Sequence, residues 1–274
     1  MSNQIKPNKN VGMFASLVIL FEFVLAILIF LFVFGNSANF QGGDSHMEPV
    51  KQGVGYFLGT IYKGGIIVPI LLTMFLVVLT FTIERFITIA KSQGHGRVDA
   101  FISKVRSLMA QGDIDGSIAE CNRQQGSIAN VVNEGLKMYR QMEADKNLDK
   151  ERKILAIQKE LEEATSLELP MLSKNLVIIS TIASIATLMG LLGTVIGMIV
   201  AFKALAQAGS PDALALSTGI SEALVNTALG ILTSAISIVM YNFFTNKIDS
   251  LTYGMDEAGY SVVQTFASRY KDAK

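Results

Sequence analysis

Long apolar runs separated by charged stretches dominate the hydrophobic pattern of the chain. Each run has about the 20 residues that a helix needs to cross a ~30 Å hydrocarbon layer. Because buried core helices are rarely so long and so poor in charge, the pattern predicts an all-α polytopic membrane protein with four transmembrane helices. We place these helices at residues 13–34, 66–90, 175–202 and 219–245.

The first run also has features of a signal peptide, because Lys6 and Lys9 precede it. However, its apolar stretch is longer than the usual 7–15 or so residues, and it contains Glu22. Small residues near Ser37 and Ala38 form only a weak cleavage motif. We interpret this run as an uncleaved membrane anchor.

Lysine and arginine are concentrated at the two ends of the chain and in its middle, where they favour the cytoplasmic side of a membrane. This distribution predicts a cytoplasmic N-terminus (1–12), a cytoplasmic middle segment (91–174) and a cytoplasmic tail (246–274). The connecting loops, at 35–65 and 203–218, are then periplasmic. The expected location is the bacterial inner membrane, with both termini in the cytoplasm.

Helical periodicity continues beyond the membrane. The middle segment predicts helices at 98–110, 115–122 and 128–142, and then a helix that runs straight into the third span with a bend at Pro170. The tail is expected to extend the fourth span as one helix. A single apolar stripe marks that extension, made of Ile248, Leu251, Met255, Ala258, Val262 and Phe266.

Composition excludes several classes of function. Lys+Arg and Asp+Glu are both 23, so the basic excess of a nucleic-acid binder is missing. Cys121 is the only cysteine, and the two histidines, His46 and His95, are far apart in the sequence. These counts argue against a disulfide framework, a metal site and histidine-based catalysis. We expect a protein that is not an enzyme and needs no cofactor.

The fourth span carries polar residues on one side. At about 100° per residue, Glu222, Asn226, Gly230, Thr233 and Ser237 share one face, which Ala223, Thr227 and Ser234 widen. A carboxylate in a membrane span usually faces a bundle interior or a water-filled path. For a single hydroxyl, interhelical packing is the favoured interpretation. For Glu222, an ion relay is favoured.

The third span has a matching face, on which Ser180, Ser184, Thr187 and Thr194 lie together. Gly190, Gly193 and Gly197 permit close helix approach, and a glycine pair four residues apart is a known packing signal. Gly230 is expected to play the same part on the fourth span. Glu22 lies in wholly apolar surroundings, where a fixed hydrogen bond to another helix is at least as good an explanation as transport.

Two sequence strings resemble the MotA/TolQ/ExbB proton channel family, and its ExbB/TolQ branch above all. Residues 190–198 read GLLGTVIGM, similar to the family's GLLGTVxGM. Residues 219–230 read GISEALVNTALG, similar to GIAEALxxTAxG. Glu84-Arg85 resembles the Glu-Arg that follows the corresponding span in relatives. The resemblance covers roughly residues 60–250.

The resemblance implies a function. By position, Glu222 matches the family's membrane glutamate, and Thr194 and Thr227 match threonines that face the channel; Thr187 and Asn226 join this channel-lining set from the same helix faces. A pentameric ring is implied, built around an ExbD/TolR-like single-span dimer and energising a TonB- or TolA-like protein. The transported ion would be H⁺, and the protein contacts membrane lipid but no nucleic acid.

Departures from the family pattern leave alternatives open. The span at 13–34 is additional, Thr187 stands where many relatives have proline, and Asn226 replaces a small apolar residue. A MotA-like ion-driven stator subunit is one alternative, and threonines could serve Na⁺ as well as H⁺. A membrane scaffold that transports nothing is the other.

Overall fold

The structure, a computed structural model, describes residues 9–45, 47–206 and 212–269. Within these ranges the chain is almost entirely helical and contains no strand, only an isolated bridge between Phe40 and Pro49. The predicted all-α fold is confirmed. His46 and parts of the predicted N-terminus, second loop and tail lie outside the described residues.

Nine α-helices make up most of the described part of the chain. They are α1 (Lys9–Leu28), α2 (Val54–Tyr62), α3 (Ile67–Ser92), α4 (Val98–Gln111), α5 (Ile114–Gln124), α6 (Gly126–Ala144), α7 (Lys150–Ser173), α8 (Leu176–Leu205) and α9 (Ala213–Arg269). Four apolar segments among them are long enough to cross a membrane: Ala15–Phe34, Ile67–Ser92, Leu176–Leu205 and Ala213–Arg269. The chain is therefore a polytopic membrane protein, as the apolar runs predict.

The helices divide into two compact units. The membrane unit comprises Met1–Thr82 and Asn175–Tyr241, and the extension unit comprises Ile83–Lys174 and Asn242–Lys274. The continuous helix that was predicted through the fourth span and tail is confirmed, because α9 runs for 57 residues without a break.

In the membrane unit, the additional helix α1 is fixed by a buried polar contact. The hydroxyl of Thr80 on α3 donates to Glu22 Oε1 at 2.6 Å, and Glu22 is only 7% exposed. An unpaired carboxylate in apolar surroundings would be costly, so this bond accounts for Glu22 as a structural residue. The fixed hydrogen bond anticipated for Glu22 is thus present.

The stretch between α1 and α3 is more ordered than the sequence pattern indicates. It contains the short helix α2, which was not predicted. The side chain of Asn39 donates to the carbonyls of Val33 and Phe34 at 2.7 and 3.0 Å, where α1 ends in a π-helical turn. The ring of Tyr62 stacks on Phe30 at 4.7 Å. These contacts fold the stretch back onto the end of the first span.

The extension unit is a helical bundle built from α4 to α7, the end of α3 and the tail of α9. The predicted helices at 98–110, 115–122 and 128–142 correspond to α4, α5 and α6. All six residues of the predicted tail stripe are buried. The ring of Phe266 meets Tyr139 edge-on at 4.8 Å, and Arg106 donates to Ser261 at 2.8 Å. Burial of this stripe fixes the tail in the bundle.

The junction between α7 and α8 differs from the prediction. One helix was expected to run straight into the third span, with a bend at Pro170. Instead, α7 ends at Ser173, Lys174 leaves the helical conformation, and Asn175 has a left-handed φ of 65°. Asparagine tolerates this conformation better than most residues, so the helix stops here although Pro170 stays inside α7.

Candidate functional site

The two signature spans, α8 and α9, approach each other through glycines. A Cβ at Gly190 would lie 2.9 Å from the carbonyl oxygen of Asn226, and one at Gly230 would lie 2.8 Å from Gly190 Cα. A Cβ at Gly197 would lie 2.6 Å from the backbone nitrogen of Ala223. Since real side chains do not fit at such distances, any larger residue at these positions would force the helices apart.

Two threonine hydroxyls meet at this contact. The Oγ1 atoms of Thr194 on α8 and Thr227 on α9 are hydrogen-bonded to each other. Thr227 also lies 3.1 Å from the carbonyl oxygen of Ala223, and Thr194 lies 3.3 Å from that of Gly190. Both side chains are half-buried. The family resemblance assigned each of these threonines to the channel, and the structure brings their hydroxyls together. Their partial exposure leaves the pair open on one side.

Glu222 lies on α9 before the threonine pair. Its side chain is half-buried and, among the described residues, forms no hydrogen bond or ion pair. It lies against Gly65, in the turn that leads into α3. Gly65 has a φ of 74°, and a Cβ there would lie 2.9 Å from the carboxyl carbon of Glu222. The carboxyl group thus fills the space that a side chain at Gly65 would occupy.

Asn226 is fully buried within the membrane unit. Its Nδ2 donates to the carbonyl oxygen of Gly64 at 2.8 Å, and a Cβ at Gly193 would lie 2.7 Å from its Cγ. The sequence prediction put Asn226 at the channel lining. The side chain has no exposed surface within the membrane unit, and its contacts are with Gly64 and Gly193. Its place in a channel lining stays a prediction.

Three further polar side chains on this face of the fourth span are covered. Thr233, Ser234 and Ser237 are all buried, and Ser234 donates to the carbonyl of Ala183 on α8. The hydroxyls of Ser234 and Ser237 satisfy backbone acceptors, which is the packing role favoured for single hydroxyls. Within this polar face, only Glu222 and Thr227 keep substantial exposed surface.

The hydroxyl face of the third span is open instead. Ser184 and Thr187 are exposed on α8. The structure does not bring Thr187 into the hydrogen-bonded cluster, since its hydroxyl bonds to no described residue. Thr187 therefore remains available to whatever covers this face in the membrane.

Sequence reasoning missed the Gly64-Gly65 turn that contacts both Glu222 and Asn226. Two consecutive glycines directly before a span were the available signal, because such a pair often marks a turn with positive φ or close approach of another element. Periodicity cannot identify which element approaches, since it describes only the helix that carries it.

Reactive groups outside the spans offer no catalytic constellation among the described residues. Burial raises the pKa of the Cys121 thiol to about 12, so this cysteine remains an inert thiol at neutral pH. No group of three or more potential metal ligands occurs in the described ranges. The chemistry that the described geometry offers is hydrogen bonding and charge inside the membrane unit.

Sequence comparisons relate this part of the chain to known proteins. A profile of the MotA/TolQ/ExbB proton channel family matches residues 124–257, which include α8 and most of α9. The chain is 25% identical over 226 residues to an ExbB homologue from Methanothermobacter thermautotrophicus, covering 80% of this chain and 75% of that relative.

Two shorter matches have a higher sequence identity. The chain is 39% identical over 77 residues to biopolymer transport protein ExbB of Aquifex aeolicus, covering 28% of this chain and 52% of the relative. It is 41% identical over 81 residues to biopolymer transport protein ExbB of Helicobacter pylori, covering 30% and 56%. These two matches span about half the length of the relatives concerned.

Proposed function

We propose that the chain is a member of the MotA/TolQ/ExbB proton channel family and the ExbB-like subunit of a membrane motor driven by proton entry, a proposal that the family match and the ExbB relatives support. A proton moving down a membrane potential releases about 2.3 kcal/mol per 100 mV. To use this energy, a protein must offer polar groups inside the membrane while limiting leakage. The subunit would supply such groups as part of a channel wall and would not act as an enzyme.

The observation that carries this proposal is the hydroxyl pair of Thr194 and Thr227 between the two signature spans. A hydroxyl can either donate or accept a hydrogen bond, so the pair can serve a proton carrier that approaches in either protonation state. Glu222, with no partner of its own among the described residues, would set the electrostatic field along the same path.

A ring of subunits follows from the open face of α8. Ser184 and Thr187 are exposed polar groups in a membrane-spanning helix, and hydrocarbon is a poor environment for them. A closed cyclic assembly would turn this face toward a shared, lipid-free interior. We propose five copies around an ExbD/TolR-like single-span dimer, whose membrane aspartate would carry the proton.

The orientation proposed from the Lys and Arg distribution places both termini and the extension unit in the cytoplasm of a bacterial inner membrane. On the opposite side, the motor would energise a TonB- or TolA-like protein for outer-membrane transport or envelope work. The transported ion would be H⁺.

Purification of the tagged chain from its native membranes tests this proposal. Native mass spectrometry should give a closed ring of five copies with a single-span protein that carries a membrane aspartate. A chain that remains monomeric yet active would contradict the ring. A stable helical bundle that binds no such partner would favour the scaffold. Ion flux that follows a Na⁺ gradient in place of a pH gradient would favour the alternative of a MotA-like stator subunit.

A further inference from the structure

We infer that Asn226 and Gly65 are positioning residues that hold the Glu222 carboxyl group in place through the turn that precedes α3. The inference rests on the proposed function only where it gives Glu222 a part in the ion path. Its structural claim, that the turn determines the environment of Glu222, stands on contacts within the membrane unit.

The first contact is between Gly65 and Glu222. Gly65 has a φ of 74°, a conformation that glycine adopts at little cost. A Cβ at this position would lie 2.9 Å from Glu222 Cδ and would also overlap a carboxyl oxygen. The glycine therefore provides both the turn and the space that the carboxyl group occupies, so the position of the turn determines how much of Glu222 is covered.

The second contact holds that turn against α9. Asn226 Nδ2 donates to the carbonyl oxygen of Gly64 at 2.8 Å, and a Cβ at Gly64 would lie 2.9 Å from Val225. Glu222 and Asn226 are four residues apart, so they lie on one face of the helix. The turn is thereby attached to α9 next to the carboxyl group that it covers.

The third contact limits the movement of Asn226. Its side chain fits a notch at Gly193 on α8, where a Cβ would lie 2.7 Å from Asn226 Cγ and 2.8 Å from Nδ2. The amide group is fully buried and cannot rotate into solvent. The contacts thus form one series from α8 through Asn226 and the turn to Glu222.

Packing alone is a poor explanation for this asparagine. Its Oδ1 is buried and bonds to no described residue, which leaves an unsatisfied acceptor at a cost in stability. An amide flip would place that oxygen against the Gly64 carbonyl, so the present orientation is the better one. A leucine of similar size would avoid the buried acceptor. The asparagine provides one thing that leucine cannot, which is the bond to Gly64.

The rate at which Glu222 is labelled tests the inference in the intact complex. A water-soluble carbodiimide with glycine ethyl ester converts accessible carboxyl groups to amides, which mass spectrometry quantifies at Glu222. In Asn226→Leu the turn loses its bond to α9, and in Gly65→Ala the new methyl group displaces the carboxyl group. Both changes should raise the labelling rate about fivefold, equivalent to ~1 kcal/mol or one lost hydrogen bond.

Two control variants match these changes. Gly42 has a φ of 70° and no atom within 4 Å of a built Cβ, so Gly42→Ala imposes similar backbone strain away from Glu222. Ser237 is fully buried and donates only to Thr233 of its own helix at 2.7 Å, so Ser237→Ala removes a buried polar group without affecting the turn. In both control variants, Glu222 should be labelled at the wild-type rate. Glu22 should be labelled at the wild-type rate in every variant.

The outcomes separate this inference from the proposed function. Wild-type labelling of Glu222 in assembled Asn226→Leu and Gly65→Ala complexes would overturn the positioning role, whatever happens to proton flux. Faster labelling with unchanged proton flux would support the positioning role and remove Glu222 from the ion path. If Gly65→Ala does not assemble, Asn226→Leu and Asn226→Ala decide the question.

Discussion

Arg85 Nη1 donates to the carbonyl oxygen of Leu172 at 3.1 Å, and to that of Met171 at 3.2 Å, at the C-terminal end of α7. The last carbonyls of a helix have no partner within the helix, so a buried arginine satisfies them here. Arg85 is 1% exposed, and the neighbouring Glu84 carboxylate neutralises its charge. One guanidinium therefore fixes the helix end near the break at Asn175.

Replacing Arg85 by methionine should destabilise the extension unit. Methionine keeps an unbranched stem but removes every donor, so the carbonyls of Met171 and Leu172 and the Glu84 carboxylate lose their bonds to Arg85. The expected loss is about 3 kcal/mol. Thermal denaturation followed by size-exclusion chromatography measures it. Arg97→Met is the matched control, because Arg97 is 83% exposed and should change little. Equal thermal stability of the two variants would show that Arg85 adds no net stability.

Cys121 should react with a maleimide only when the extension unit unfolds. Burial raises its pKa to about 12, so at pH 8 almost no thiolate exists and the sulfur is enclosed. Labelling should be slow in the native complex and fast in denaturant. A Cys121→Ser, Ser103→Cys protein, with its thiol at an exposed position of α4, should label quickly in both conditions. Rapid native labelling of Cys121 would contradict its burial.

Glu120 should stabilise the fold at neutral pH and lose this effect in acid. Hydrogen bonds from Arg123 and Lys104 lower its pKa below the ordinary value of 4.5. The stabilisation is therefore complete above about pH 4.5 and is lost as the pH falls through the lowered folded-state pKa.

The comparison of wild type with Glu120→Gln measures this effect. With loss of helical circular dichroism as the unfolding signal, the variant should unfold at lower denaturant concentration at pH 7. The two proteins should converge as the pH drops below 4.5, the ordinary carboxyl value. A difference that stays constant through this range would mean that the carboxylate charge is not responsible.

Sequence alone predicted the features that depend on one helix at a time. The spans were predicted from the length of the apolar runs, because a helix must be apolar over about 20 residues to cross the hydrocarbon layer. The buried tail stripe through Met255 and Phe266 was predicted from periodicity, because one face of the helix packs into the bundle. The family resemblance singled out Thr194 and Thr227 as channel-facing residues, and the structure added that their hydroxyls are hydrogen-bonded to each other. Their role in transport remains a prediction.

The sequence pattern did not predict features that depend on contact between a helix and a second helix or turn. Helix geometry placed Asn226 beside Glu222 on one face, but it could not indicate that Gly193 and Gly64 enclose one side chain while the other stays partly open. The break at Asn175 was missed for a related reason. A left-handed residue costs little in asparagine, so composition gave no strong signal for it.

Thr194→Val and Thr227→Val should impair ion-driven activity without preventing assembly. Valine keeps the shape of threonine and removes only the hydroxyl, and each lost bond of ~1 kcal/mol corresponds to about a fivefold effect. Proton flux in liposomes that contain the native complex measures the change. Thr181→Val is the control, because its exposed hydroxyl donates only to Val177 of its own helix. Wild-type proton flux in both assembled variants would show that the two hydroxyl groups serve only helix packing.

Proton flux through complexes that carry Glu222→Gln tests the central claim most directly, with Glu222→Asp measured in parallel. Glutamine keeps the size and hydrogen bonding of glutamate but cannot ionise, whereas aspartate keeps the charge and withdraws it by one methylene. If the charge beside the threonine pair is required, glutamine should abolish flux, aspartate should retain part of it, and both rings should assemble at normal abundance. A fully active glutamine variant at normal abundance would contradict this account and favour the scaffold.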